Sequence, residues 1–172
     1  MTAPDEKKLD TLHELIDGIE MAMFTTRRAD GELVSRPMAT QARENDADLW
    51  FVASIDSHKI EEIRHDPHVN VAYFDSQSRE WVSVAGTARV SQDRERIREL
   101  WSPSWKVWFP KEGEGREGGA DDPRIALIFV DAHSVTYLDK DTSRPVVLFE
   151  IAKAMVTGEQ PDVGEVRHVD LE

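Results

Sequence analysis

Apolar residues recur at helical spacing near the start of the chain, at Leu9, Leu12, Leu15 and Ile16. An N-terminal helical segment over 1–18 is predicted, regular from about Glu6 and closed by Gly18. The period then changes. Ile19 to Arg27 is predicted as a strand, Ala29-Asp30-Gly31-Glu32 as a hairpin turn, and Leu33 to Arg43 as the returning strand. Asn45-Asp46-Ala47-Asp48 makes a second turn before the strand Leu49–Ser54. A helix over about Ser57–Arg64 must end at His65-Asp66-Pro67, because the residue before a proline avoids helical geometry.

Val69–Phe74 and Trp81–Val90 are the next predicted strands, joined by Asp75-Ser76-Gln77-Ser78. Ser91 is placed as the N-cap of a helix with Ile97, Leu100 and Trp101 as its apolar positions. Pro103 interrupts it, and a second short helical piece carries Trp105 and Trp108. The glycine-rich, charged segment 111–123 is expected to be a flexible loop. Ile125–Asp131 and Ser134–Leu138 are predicted as strands, and Pro145–Thr157 as a helix closed by Gly158. The segment 159–172 is polar and is expected to form a surface tail. With no internal repeat and no dividing linker, 1–172 is expected to be a single domain.

Two strands depart from simple alternation. Leu49–Ala53 and Ile125–Val130 are apolar at odd and even positions alike, whereas an antiparallel strand facing water shows one polar face. The mainly β pattern therefore predicts a closed barrel whose outside is also covered, by helices or by a second subunit. A homodimer follows from that expectation.

Composition narrows the function. The 172 residues are 40% hydrophobic, with no cysteine, so disulfides, thiolate metal sites and cysteine nucleophiles are excluded. No run approaches the roughly 20 apolar residues of a membrane span, and the polar start, MTAPDEKKLD, lacks the apolar middle of a signal peptide. The expectation is a soluble, cytoplasmic protein. The 34 acidic and 21 basic residues leave a net charge of −13, which repels nucleic acid and anionic lipid. An anionic ligand would have to be drawn in by a local basic cluster.

Such a cluster is written into Leu49–Ile63. The apolar strand stops at Ala53-Ser54, and a helix start with Ser57 and Lys59 follows at once. The junction gathers backbone N–H groups, hydroxyls and an ammonium around one point, which suits a phosphate. Arg36, on the preceding strand, can add a guanidinium. The competing reading is a helix capped by Asp56 or Ser57 with a solvated lysine, and an Asp56 cap would contend for the same N–H groups.

Other motifs carry less. Gly113-Glu-Gly-Arg-Glu-Gly118 fits G-x-G-x-x-G literally, but it lacks the strand before and the helix after that a dinucleotide fingerprint requires. His58, His65 and His68 straddle a helix end and a proline and read as surface histidines, so no metal is expected. No G-x-S-x-G elbow is present. Trp101, Trp105 and Trp108 would share one helical face if Pro103 only kinks the chain.

The order SRPMATQ (Ser35–Gln41), LWFVASIDSHK (Leu49–Lys59), VNVAYFD (Val69–Asp75) and WVSVAGTARV (Trp81–Val90) resembles the pyridoxamine 5′-phosphate oxidase-like flavoproteins. ELWSPSWKVWFP (Glu99–Pro110) and RIALIFVDAHSVTYLD (Arg124–Asp139) make it similar, more narrowly, to their general stress protein 26 branch. The resemblance implies a six-stranded antiparallel split β-barrel of Greek-key type with flanking helices, paired as a homodimer with two flavin sites at the interface. It implies that Arg36 reaches the phosphate or ribityl part of FMN, that Ser54, Ser57 and Lys59 bind the phosphate, and that His58 stands where relatives carry a second basic residue. Backbone groups near Pro37, Met38, Phe51 and Val52 would line the flavin ring. Trp105 or Trp108 would cover the partner's flavin, or else pack on the barrel.

The activity implied is that of a flavin-dependent oxidoreductase of unknown substrate, with FAD as an alternative cofactor. The C-terminal sequence lacks the arginine- and tryptophan-bearing segment of the true oxidases. A flavin carrier or sensor with little turnover, and a deazaflavin- or haem-binding relative, are the competing readings.

Overall fold

The computed structural model describes residues 3–44, 47–139 and 165–171. Helix α1 (Ala3–Ile16) is followed by β1 (Met21–Arg27), β2 (Leu33–Ala39), β3 (Leu49–Ser54), α2 (His58–His65), β4 (His68–Phe74), β5 (Trp81–Ser91), α3 (Arg94–Leu100), a 3-10 helix (Pro103–Trp108), β6 (Ile125–Asp139) and β7 (Glu165–Asp170). The predicted helix over 145–157 lies outside the described residues.

All strand pairings are antiparallel, in the order β2-β1-β4-β5-β6-β3, with β7 also on β6. The strand β6 is the spine. One edge runs along β5, while the other is shared, Ile125–Val130 pairing with β3 and Ser134–Asp139 with β7. Beta2 and β3, at the two ends of the path, are not hydrogen bonded to each other. The barrel is therefore split rather than closed, and side chains bridge the gap: Met38 of β2 and Leu49, Phe51 and Ala53 of β3 belong to one buried cluster.

That inner cluster follows from alternation. Along β1, Ala22, Phe24 and Thr26 point inward while Met21 and Met23 point out. Phe24 meets Phe51 edge-on, with ring centroids 5.3 Å apart. Leu9, Leu12 and Ile16 of α1, and Ile60 and Ile63 of α2, close the inside. Each large side chain so buried contributes about 1.5–3 kcal/mol relative to an exposed one.

The apolar outer positions of β3 and β6 find a separate explanation. Trp50, Ile125, Leu127 and Phe129 form a second cluster with Ile97 of α3 and with Trp105 and Phe109. The cover over this half of the sheet comes from the chain itself. Asp93, not Ser91, caps α3, its carboxylate accepting from the N–H groups of Glu95 and Arg96. Ser91 remains in β5, and its hydroxyl accepts from the Asp93 N–H instead.

Two further expectations change. Ile125–Asp131 and Ser134–Leu138 are one strand, bent where the register with β5 shifts between Ala85 and Gly86. A Cβ on Gly86 would sit 2.3 Å from the Asp131 carbonyl oxygen, so the backbones approach there only because the residue is glycine. Within the C-terminal segment, Glu165–Asp170 is a largely exposed strand, β7, paired with β6 rather than a loose tail. Backbone bonds to β6 order it without any apolar pattern of its own.

Candidate functional site

A groove of about 800 Å³ lies between α2 and the β1–β2 hairpin, lined by Arg28, Asp30, Val34, Arg36, Ser57, His58, Lys59, Glu61, Glu62 and His65 among others. The sequence brings these groups together in two ways. Beta3 ends and turns sharply, the Ser57 N–H donating to the Ser54 carbonyl at 3.0 Å, so that α2 starts at the sheet margin. Beta2 then presents Arg36 toward the same helix.

The N-terminus of α2 is open. Ser57 is the N-cap in extended conformation, but its side chain does not accept a helix N–H; its hydroxyl donates to the Ser54 carbonyl at 2.6 Å. Asp56 does not cap either. It is exposed and lies 3.7 Å from Arg116. The rivalry expected from an Asp56 cap is absent; Ser57, His58 and Lys59 at the start of α2 line the groove, at the end of the helix where the dipole is positive.

Lys59 is half-buried and forms no ion pair among the described residues. Burial lowers its pKa, the neighbouring Arg36 charge adds to the fall, and the Glu62 carboxylate opposes it. A partly desolvated ammonium without a direct ion pair, beside a helix start that no side chain caps, is a place for an anion.

Arg36 is held rather than free. One terminal nitrogen donates to the Thr26 hydroxyl and the other to Glu62 Oε2 at 2.7 Å, while the buried Thr26 hydroxyl donates to the same carboxylate oxygen at 2.5 Å. Burial works against the Glu62 charge, but the hydrogen bonds from Thr26 and Arg36 and the charges of Arg36 and Arg28 prevail, and its pKa is lowered. Glu62 is a groove residue that sequence reasoning missed. Its signal was its place one helical turn after Lys59, on the same face of α2.

The structure thus gathers Arg36, Ser57, His58 and Lys59 on one groove and leaves the other candidates off its lining. The Ser54 hydroxyl is engaged locally, accepting from the Asp56 N–H at 3.4 Å. Met38 and Phe51 are buried in the inner core, so their side chains are not available to a ligand. Val52 packs against the outer cluster, and Pro37 is exposed on β2. Among the described strands β2 pairs only with β1, and β3 only with β6, leaving each with one unpaired edge.

The tryptophans do not share a face. Trp105 is buried against Trp50, with ring centroids 6.1 Å apart, and the Trp101 indole donates to the Gly118 carbonyl at 3.1 Å. Trp108 is 65% exposed. Packing on the barrel accounts for Trp105, while Trp108, the last residue of the 3-10 helix, stays outside the cluster that Trp105 joins. Lys106 lies over the Trp101 ring, 5.6 Å from its centroid.

An open antiparallel sheet curled around one core, with an anion-receptive groove where β3 hands over to α2, defines the class. Residues 7–162 match the family described as pyridoxamine 5′-phosphate oxidase like, and the chain belongs to that family. It is 31% identical over 169 residues to the protein bli-3 of Neurospora crassa, covering 96% of this chain and 81% of that one. Among solved structures it is similar to a putative general stress protein 26 from Jannaschia sp. CCS1, with a TM-score of 0.67, 26% identity and coverage of 94% of this chain and 98% of that one. The fold is also that of the general stress FMN/FAD binding protein from Xanthomonas citri, with a TM-score of 0.61, 23% identity and coverage of 80% and 92%. Among the described residues no helix is long and apolar enough to cross a membrane.

Proposed function

We propose that the groove grips the phosphate of FMN and that the protein is a flavin-dependent oxidoreductase. The observation that carries this reading is Lys59, a half-buried ammonium with no direct ion pair among the described residues, set beside an N-terminus of α2 that no side chain caps. Ser57 and His58 add donors, and Arg36 adds a planar fork suited to phosphate oxygens. The relative from Xanthomonas citri is named for FMN and FAD binding, which agrees with this choice. When bound, the flavin supplies the redox chemistry. This chain supplies the phosphate grip, and the open edges of β2 and β3 offer main-chain groups to a flat heterocycle.

The test is the absorbance spectrum of the purified protein, followed by titration with FMN read as fluorescence quenching. Saturable quenching at one FMN per chain is expected, followed by reduction of the bound flavin by NAD(P)H. A Soret band would replace this reading with haem. A flavin reduced by no nicotinamide donor and reoxidised by no acceptor would leave a carrier.

We further propose that a second copy covers the other half of the outer sheet face. Met21 (43% exposed), Met23 (44%), Phe74 (61%) and Val166 (63%) point outward there. Phe74 pairs across the sheet with Trp81, and Leu138 with Val166, which makes the apolar positions neighbours. Contiguous apolar surface of this kind on a strongly acidic molecule marks an interface. Phe74→Glu is expected to convert a dimer to a monomer in size-exclusion chromatography with light scattering. An unchanged mass would place the interface elsewhere.

A further inference from the structure

We infer that Glu62 is a built-in rival of the ligand phosphate, a resident carboxylate that occupies Arg36 and keeps phosphate binding weak enough to reverse. The inference rests on the proposed phosphate site and names the residue that sets its affinity. Arg36 enters the groove already paired with Glu62 at 2.7 Å, and Thr26 fixes the geometry by accepting from Arg36 and donating to Glu62. The Glu62 side chain is 11% exposed and that of Arg36 20%, so water screens the pair poorly. Glu62 also acts on Lys59, opposing the fall in its pKa. One carboxylate therefore serves both cations that would receive the phosphate.

The consequences are opposed in sign. Before ligand binds, Glu62 stabilises the guanidinium in position. Once a phosphate dianion arrives, the same carboxylate repels it at close range and competes for the Arg36 hydrogens. Charge repulsion at a few ångströms outweighs the loss of one orienting hydrogen bond. A glutamine keeps the shape and an acceptor oxygen for Arg36 and Thr26 while removing the charge.

The experiment is calorimetric titration of the wild type, Glu62→Gln, Glu62→Met and Lys59→Met with FMN and with riboflavin, which lacks the phosphate. Glu62→Gln is expected to tighten FMN binding by about tenfold and to leave riboflavin unchanged, so that selectivity for the phosphate rises. Glu62→Met removes the same charge without a polar group to bury, and gives the answer should the glutamine variant misfold. Unchanged or weaker FMN binding in the folded Glu62 variants, with Lys59→Met losing FMN, overturns the inference and leaves the phosphate site standing. Absence of FMN binding by every variant and the wild type overturns the phosphate site itself, and the inference with it. Equal tightening of riboflavin and FMN overturns the inference too, since it shows a change of shape rather than of charge.

Discussion

Replacing Lys59 and Arg36 together by alanine is expected to weaken FMN binding by about a hundredfold or more. On the proposed assignment each side chain would offer a charge-assisted hydrogen bond to the phosphate, and each such bond contributes roughly 1.5–3 kcal/mol. The double change does more than remove two donors. Without Arg36 the Glu62 carboxylate loses its partner and remains on the groove as an uncompensated negative charge, so a site that attracted phosphate would repel it. Riboflavin binding should fall far less. The fold should persist at reduced stability, because both residues lie at the groove outside the apolar cores while Glu62, 11% exposed, loses its partner. Fluorescence titration with both flavins, beside far-ultraviolet circular dichroism, provides the check. An unchanged FMN affinity would sink the phosphate assignment.

The largest effect on stability is expected at Asp122, remote from the groove. Its side chain is fully buried, and it accepts from the N–H of Gly118 at 2.8 Å, from the N–H of Arg124 at 2.9 Å, and from two nitrogens of the Arg124 guanidinium. Arg124 in turn reaches the Pro110 carbonyl and Glu112. This network ties both ends of the segment 110–124 to the start of β6. Removing one partner of a buried pair strands the other, so Asp122→Asn should cost about 3 kcal/mol, seen as a lower urea midpoint.

The acid response of Asp122 has a defined sign. The hydrogen bond from Arg124 is the chief cause of a pKa held far below the usual carboxylate range; burial opposes it, and the two N–H groups assist. The folded chain thus binds fewer protons at this carboxyl than the unfolded one. Its contribution is complete above the ordinary carboxylate pKa and is lost as the pH falls from there toward the depressed folded value. The stability gap between wild type and Asp122→Asn should therefore be full at neutral pH and shrink below about pH 4. A gap that stays constant down to about pH 3 would contradict the role given to this charge.

Much of the fold is legible locally. Strand β3 falls at Leu49–Ser54, as the apolar run dictates, and α2 ends before Pro67, which forbids helical geometry in the residue preceding it. Leu9, Leu12 and Ile16 are buried at the helical spacing read from the chain. Boundaries that depend on capping are less legible. Ser91 and Asp93 are both good caps, and which one is used depends on where β5 stops pairing with β6.

The sequence by itself determined the alternating strands, the two-sided apolar character of β3 and of the first half of β6, and the gathering of Ser57, His58 and Lys59 at one helix start. These depend on neighbours a few residues apart and on elementary preferences of the backbone. Only the tertiary structure decided what covers the outer face of those strands, for a run of apolar residues does not say whether its cover is a helix or another subunit. Only it joined Arg36 to Thr26 and Glu62, which stand 10 and 26 residues away along the chain. The register between β1 and β2 and the packing of α2 set that meeting, and through it the charge balance of the groove. Such balance is a property of distances in space, which residue order alone does not contain.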